Sequence, residues 1–159
     1  MIFEGSFCIV SPRKQVWDFL WNVERISKCV PGVEKVQIES EDSYTVLVKT
    51  KVGFLSARFN LGVAILELEA PRWVRSMVEG KDSRIASGVK LVNKMELVEI
   101  SPFETEVRYR SDITLMGKLA TLGRSIIKGK AKQLTKEFTE NIKKEIENTP
   151  LGGEVMKEA

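Results

Sequence analysis

The chain has 159 residues, 43% hydrophobic and 30% charged, with 25 basic side chains against 22 acidic ones. That suits one soluble domain with one core, and no apolar run reaches the ~18–20 residues of a membrane-spanning helix. Histidine is missing altogether, which removes the usual general base, the usual zinc ligand and every Ser-His or Cys-His nucleophile while leaving Asp, Glu, Lys and Tyr as acids and bases.

The opening MIFEGSFCIV has neither a basic n-region nor a small-residue cleavage site, so a cytoplasmic protein is expected. Residues 2–10, with Phe3, Phe7, Ile9 and Val10, read as a first strand. Ser11 as N-cap and Pro12 at the first helical position then open a helical segment. Val16, Phe19, Leu20, Val23 and Ile26 recur at helical spacing, as one helix or as two short ones broken near Asn22. Trp17 and Trp21, four apart, are placed to cover the sheet edge or line a pocket mouth, with core packing favoured for Trp17. Pro31-Gly32 ends the segment. Cys8 and Cys29 have no metal-ligand spacing, and a reducing cytosol disfavours a disulfide between them. Cys29 is read as a small buried hydrophobe.

A long strand region follows. Tyr44, Val46, Val48, Thr50 and Val52 fall on one face, with Thr45, Leu47, Lys49 and Lys51 on the other. Phe59, Leu61, Val63 and Ile65 keep the period, and the phase switch to Leu66 and Leu68 predicts a bulge. Trp73 to Gly80, Ser83 to Val98 and Glu106 to Leu115 complete an antiparallel meander with short connections. In the last of these, Val107, Tyr109, Ser111, Ile113 and Leu115 point inward; residues 72–80 admit two registers.

One long helix is predicted from Gly117 to Glu147, with a stripe of Leu119, Leu122, Ile126, Ala131, Leu134, Phe138, Ile142 and Ile146. The domain is placed at 1–148 and a mobile tail at 149–159. The expected class is α+β: a curved antiparallel sheet of about seven strands wrapped around the long C-terminal helix, with one or two short helices after the first strand.

Such a layout leaves an apolar pocket between sheet and helix. The expected walls are Phe59, Val63, Met77, Met95, Tyr109, Leu122 and Ile126, with Met77 and Met95 suited to a flexible ligand. Asn93 shares a parity with Met95, and Ser111 with Tyr109, so all would face inward. A buried polar group without a partner costs about 1–3 kcal/mol, so Asn93, Tyr109 and Ser111 need each other, water or a ligand. An internal hydrogen-bond network is the favoured account and a polar handle for a ligand the competing one. No catalytic residue, metal ligand or cofactor is predicted.

From Ile113 to Lys136 the chain carries Lys118, Arg124, Lys128, Lys130, Lys132 and Lys136 and no acidic residue beyond Asp112 just before it. A solvated face is the default reading. The alternative is weak, salt-sensitive contact with an anionic membrane surface or a partner, through Lys118, Arg124, Lys128, Lys130 and Lys132. Gly117 to Gly129, together with the turn around Gly53, would then form a gate for an apolar ligand. Nucleic acid is not an expected partner, because the overall charge is nearly balanced and no recognition helix or stacking motif is present.

FEGSF, VWDFL, CVPGVE, KVGFLSARF, EAPRW and VRYRSDITLMGKLATLG, spread over most of the chain to about residue 147, resemble the family of the carbon monoxide dehydrogenase G-subunit. That family belongs to the START-like (SRPBCC, helix-grip) superfamily. CVPGVE and GKLATLG are the more specific pieces. The resemblance implies a helix-grip fold, while the pocket-forming layout with no catalytic constellation predicts non-catalytic binding of a lipid, isoprenoid or quinone. The resemblance also implies an accessory or recruitment role for a molybdenum-containing carbon monoxide dehydrogenase-like hydroxylase, or else a polyketide cyclase-like reaction. Some members carry a linker and hydrophobic tail; the chain ends at Ala159 without one, so anchoring through such a tail is not expected. Attachment at the inner membrane face would be peripheral.

Overall fold

The computed structural model describes residues 1–148; the tail expected at 149–159 lies outside the described residues. The chain runs β1 (Ile2–Ile9), α1 (Arg13–Leu20), α2 (Val23–Ser27), β2 (Val33–Ser40), β3 (Ser43–Val52), β4 (Leu55–Glu69), β5 (Trp73–Asp82), β6 (Ser87–Ser101), β7 (Glu104–Gly117) and α3 (Arg124–Glu147). The strands form one seven-stranded antiparallel sheet in the order β1-β7-β6-β5-β4-β3-β2. The register puts the β2–β3, β4–β5 and β6–β7 turns at one end of the sheet. The β3–β4 turn and the β5–β6 connection lie at the other.

Local chemistry explains the joints. The helical segment splits at Asn22, whose Oδ1 accepts from Arg25 N at 3.1 Å and caps α2. Ser11 does not cap α1: Pro12 occupies that position, and the buried Ser11 hydroxyl has no partner among the described residues. Ser11 is instead held through its carbonyl, which accepts from Thr105 Oγ1 at 2.8 Å. The expected bulge is present, as a register shift between Ile65 and Glu67. Ser83–Ile85, expected as strand, forms a single 3₁₀ turn closed by Asp82.

The final helix is interrupted where one continuous element was expected. Lys118–Leu122 is a 3₁₀ turn, and Gly123 then adopts φ +95° and ψ 153° before α3 begins. That backbone conformation is open to glycine and strained for other residues.

The core is divided. One buried cluster joins Ile9, Leu97 and Val107 of the sheet to Val16, Trp17 and Phe19 of α1 and to Ile142 and Ile146 of α3, with Cys29 inside it. The other lies at the opposite end and contains Val52, Ala57, Phe59, Leu119 and Ile127. Burying Leu, Ile or Phe in either cluster contributes roughly 1.5–3 kcal/mol per side chain.

Candidate functional site: the floor between two core clusters

Between the clusters, the concave face of the sheet is apolar but incompletely covered. Alternation from the buried Phe59, Leu97 and Val107 puts Val46, Val63, Val78, Leu91 and Ile113 on the same face, and all five are only half-buried. The principal strand contacts of α3 are with β1 and β3, towards the two sides of the sheet. The helix therefore spans a floor that it does not seal.

At the end of this face bearing the β2–β3 turn lies a cleft of about 640 Å³. Ile38 and Tyr44 of the β2–β3 hairpin, Ile65 and Leu68 of β4, and Trp17, Trp21 and Val23 from the short helices and their junction form its apolar lining. Ser40, Glu41 and Asp42 supply a polar rim. Trp17 and Trp21 meet edge to face at 5.5 Å. Ile38 is 63% exposed and Leu68 48%. The Tyr44 hydroxyl, bonded to Glu41 O at 3.3 Å, has its pKa raised, first by burial and then by the nearby Asp42 carboxylate.

One row across the concave face is polar. Ile65 of the cleft pairs with Ser76, Ser76 with Asn93, and Asn93 with Ser111. Ser111 Oγ donates to Asn93 Oδ1, which leaves the Asn93 amide nitrogen without an acceptor among the described residues. In the neighbouring row Tyr109 tilts against Phe7 at 6.3 Å. Its hydroxyl lies above Gly5, where a Cβ would approach it to 2.5 Å. The Tyr109 hydroxyl also has no hydrogen-bond partner among the described residues.

The residues predicted as a pocket wall divide between the two faces of the sheet and the helix, and none of them lines the cleft. Val63, Asn93, Met95, Tyr109 and Ser111 lie on the concave face, and Asn93 pairs with Ser111 as expected. Phe59 is consumed by core packing. Met77 is on the wrong face: it pairs with Ala64 and Val92 on the convex side, while Val74, Ser76 and Val78 face inward. Leu122 packs at the edge of the second cluster, but Ile126 is 42% exposed and its neighbour Ile127 takes the buried position. Lys118, Arg124, Lys128 and Lys132 are exposed and Lys130 is partly so.

The helix start and the Gly53 turn do meet, because a Cβ on Gly53 would touch both Ile126 and Leu122. Cys29 is buried, its thiol contacts Arg25 O at 3.8 Å, and its pKa is raised by burial, then by Glu145, with Arg25 opposing. This is a packing cysteine and not an activated nucleophile. Among the described residues no helix is long and apolar enough to cross a membrane.

Strongly curved sheet, short helices and one long closing helix define a START-like, helix-grip domain. Structures of that architecture superpose closely. A conserved protein from Geobacillus kaustophilus matches at a TM-score of 0.87 with 22% identity, covering 94% of this chain and 97% of its own. A START superfamily protein from Mycobacterium smegmatis matches at 0.74 with 10% identity, covering 94% and 99%. The Zhui aromatase/cyclase from Streptomyces sp. R1128 matches at 0.71 with 14% identity, covering 92% and 93%. No curated protein matches the chain. The chain belongs to the family of the carbon monoxide dehydrogenase G-subunit (CoxG), which it matches over residues 5–147.

Proposed function

We propose that the protein binds a small hydrophobic or amphipathic molecule, of the lipid, isoprenoid or quinone kind, between α3 and the concave face, without transforming it. The observation that carries this reading is the half-buried apolar floor between two buried clusters, with a cleft of about 640 Å³ on the same face at one end of the sheet. That volume falls within the range of ligand sites. Burying ~400 Å² of apolar ligand surface is worth about 10 kcal/mol gross. Association and ordering remove a large share, so micromolar binding needs no further source of affinity. The Asn93 amide and the Tyr109 hydroxyl are donors, which favours a ligand carrying an acceptor such as a carbonyl.

The ligand would be collected at a membrane through the end where α3 starts. Phe54, at the β3–β4 turn, is 79% exposed, and the adjoining Gly53 rests against Ile126 near the start of α3. Arg124, Lys128 and Lys130 near the start of α3, with no acidic residue in its first turn, oppose the helix macrodipole, whereas its last turns mix Lys143 and Lys144 with Glu145 and Glu147. The helix gains no stability from its basic start, which supports a reading in which that end faces an anionic surface.

Membership of the CoxG family favours a second reading, service to a molybdenum-containing carbon monoxide dehydrogenase-like hydroxylase. The two are compatible, since a carrier delivers to something. A cyclase-like reaction rests on shared fold alone, which does not carry function.

Native mass spectrometry of freshly purified protein, followed by solvent extraction, tests the binding reading. A retained apolar molecule is expected. Protein that emerges empty and also ignores a panel of lipids and quinones overturns it.

A further inference from the structure

The two ends of the molecule carry opposite charge. Around the start of α3 lie Lys118, Arg124, Lys128 and Lys130. The far end, where the cleft opens, carries Glu41 and Asp42 at the β2–β3 turn on the cleft itself, with Glu39, Glu67 and Glu69 on the opposite face of the same strand ends. Arg75 and Arg72 answer Glu67 and Glu69 at 2.6 and 3.3 Å. Glu39, Glu41 and Asp42 have no ion-pair partner among the described residues. Among the described residues the Asp42 carboxylate accepts only from Ser40 Oγ at 2.8 Å, and that of Glu39 from Thr45 Oγ1 at 3.0 Å. Beside these carboxylates Ile38 and Leu68 leave apolar surface in water.

We infer that this acidic, apolar cleft mouth is a docking surface for a partner protein whose own surface presents Lys or Arg around an apolar centre. Protein interfaces combine an apolar core with a polar rim. Here Ile38, Leu68 and Trp21 supply the core, and Ser40, Glu41 and Asp42 the rim. An anionic membrane is repelled by that rim, so the occupant differs from that of the basic end. Charge complementarity governs encounter and orientation more than final affinity. The rim thus steers the basic partner so that the cleft meets it squarely. The inference rests on the binding reading in one respect: a ligand entering at the basic end would leave through this mouth.

The test places the photo-reactive residue p-benzoylphenylalanine at Ile38 in the full chain, expressed in its native host, with the same residue at Phe54 as the opposite-end control. Irradiation should join the Ile38 position to one protein through a peptide containing Lys or Arg. Replacing Glu41 and Asp42 together by Lys should lower that yield about tenfold or more while the Phe54 adducts persist. The neutral pair Glu41→Gln and Asp42→Asn should fall between, which guards against a folding defect in the reversed pair. No adduct, adducts with lipid, adducts with a second copy stacked head to tail, or a protein adduct indifferent to charge would each overturn the inference. Extraction of ligand from the charge-reversed protein separates the two proposals. Ligand retained without docking supports this one, whereas docking retained by an empty protein counts against the binding reading alone.

Discussion

Gly53, at the tip of the β3–β4 turn, rests against Ile126 near the start of α3. A Cβ on Gly53 would stand 3.3 Å from Ile126 Cγ2, and the glycine has φ +60°. The turn and the helix are thereby closed over the second core cluster without a side chain between them. Gly53→Ala forces a left-handed conformation on a residue with a Cβ and crowds Ile126, so a loss of about 1–2 kcal/mol is expected. Gly129 is the contrast, since it is helical and a Cβ there meets nothing within 4 Å. Gly129→Ala should gain up to ~1 kcal/mol. Thermal unfolding of the two variants should therefore shift in opposite directions.

Binding to vesicles of phosphatidylcholine with phosphatidylserine should be measurable at low salt. It should fade as salt rises through ~0.1–0.3 M, where the Debye length falls below 10 Å. Lys128, Lys130 and Lys132 replaced by Glu should abolish it, while ligand affinity in detergent stays unchanged. Phe54→Ser should weaken it without altering the salt slope, because the loss is apolar. Equal co-sedimentation of wild type and the lysine triple variant would discard membrane docking at this end.

Asp82 predicts a pH dependence. Its carboxylate accepts from Arg84 Nη2 and from Arg58 N, each at 2.8 Å, and these bonds lower its pKa, with the Arg84 side chain as the largest cause. A depressed carboxylate contributes stability that is present above the ordinary aspartate pKa. That contribution is lost as pH falls through the lowered folded-state value. Asp82→Asn should reduce the urea midpoint at pH 7 and flatten the acid side of the stability profile. An unchanged acid limb in the variant would show that Asp82 carries no such linkage.

The face assignment is tested by substitution on both sides of the sheet and helix. Ile142 is 1% exposed in the first cluster, so Ile142→Ala should cost about 2–5 kcal/mol. Met77→Thr, on the convex face, should cost under ~1 kcal/mol and leave retained ligand unchanged. Loss of ligand in Met77→Thr would contradict the register described above.

Strand order and the bulge at Leu66 were readable because alternation in 44–65 and 106–115 is clean. At 72–80 it is not: the outward Trp73 and Met77 are more apolar than the inward Ser76. Convex-side neighbours explain this. Trp73 lies under Lys94 at 5.1 Å and bonds Glu69 through Nε1, while Met77 sits between Ala64 and Val92. Counting back from Ile146 and Ile142 through Phe138, Leu134 and Ala131 leads to Ile127. The phase was recoverable, but the predicted helix ran through Gly123 and carried the adjacent Ile126 instead. The cleft was legible only through Trp17 and Trp21. Its other walls, Ile38, Tyr44, Ile65 and Leu68, converge through the curl of the sheet and the placement of α1 and α2, which no local periodicity encodes.

The pairing of β1 with β7 also bears on how the molecule is made. Ile2 lies opposite Asp112 and Ile9 opposite Thr105, and β1 sits at the sheet's edge with β7 as its strand neighbour. During synthesis the first strand leaves the ribosome about a hundred residues ahead of its partner, a delay of several seconds or more at ~5–20 residues per second. Strands β2 to β6 can meanwhile pair successively as hairpins, each closing a short loop. The last long-range closure falls to β7, which must join β6 and capture β1 before α3 can settle. Until then Phe3, Phe7 and Ile9 belong to an unpaired strand, so the nascent chain, more than the finished domain, is where this fold is exposed to aggregation and to chaperones.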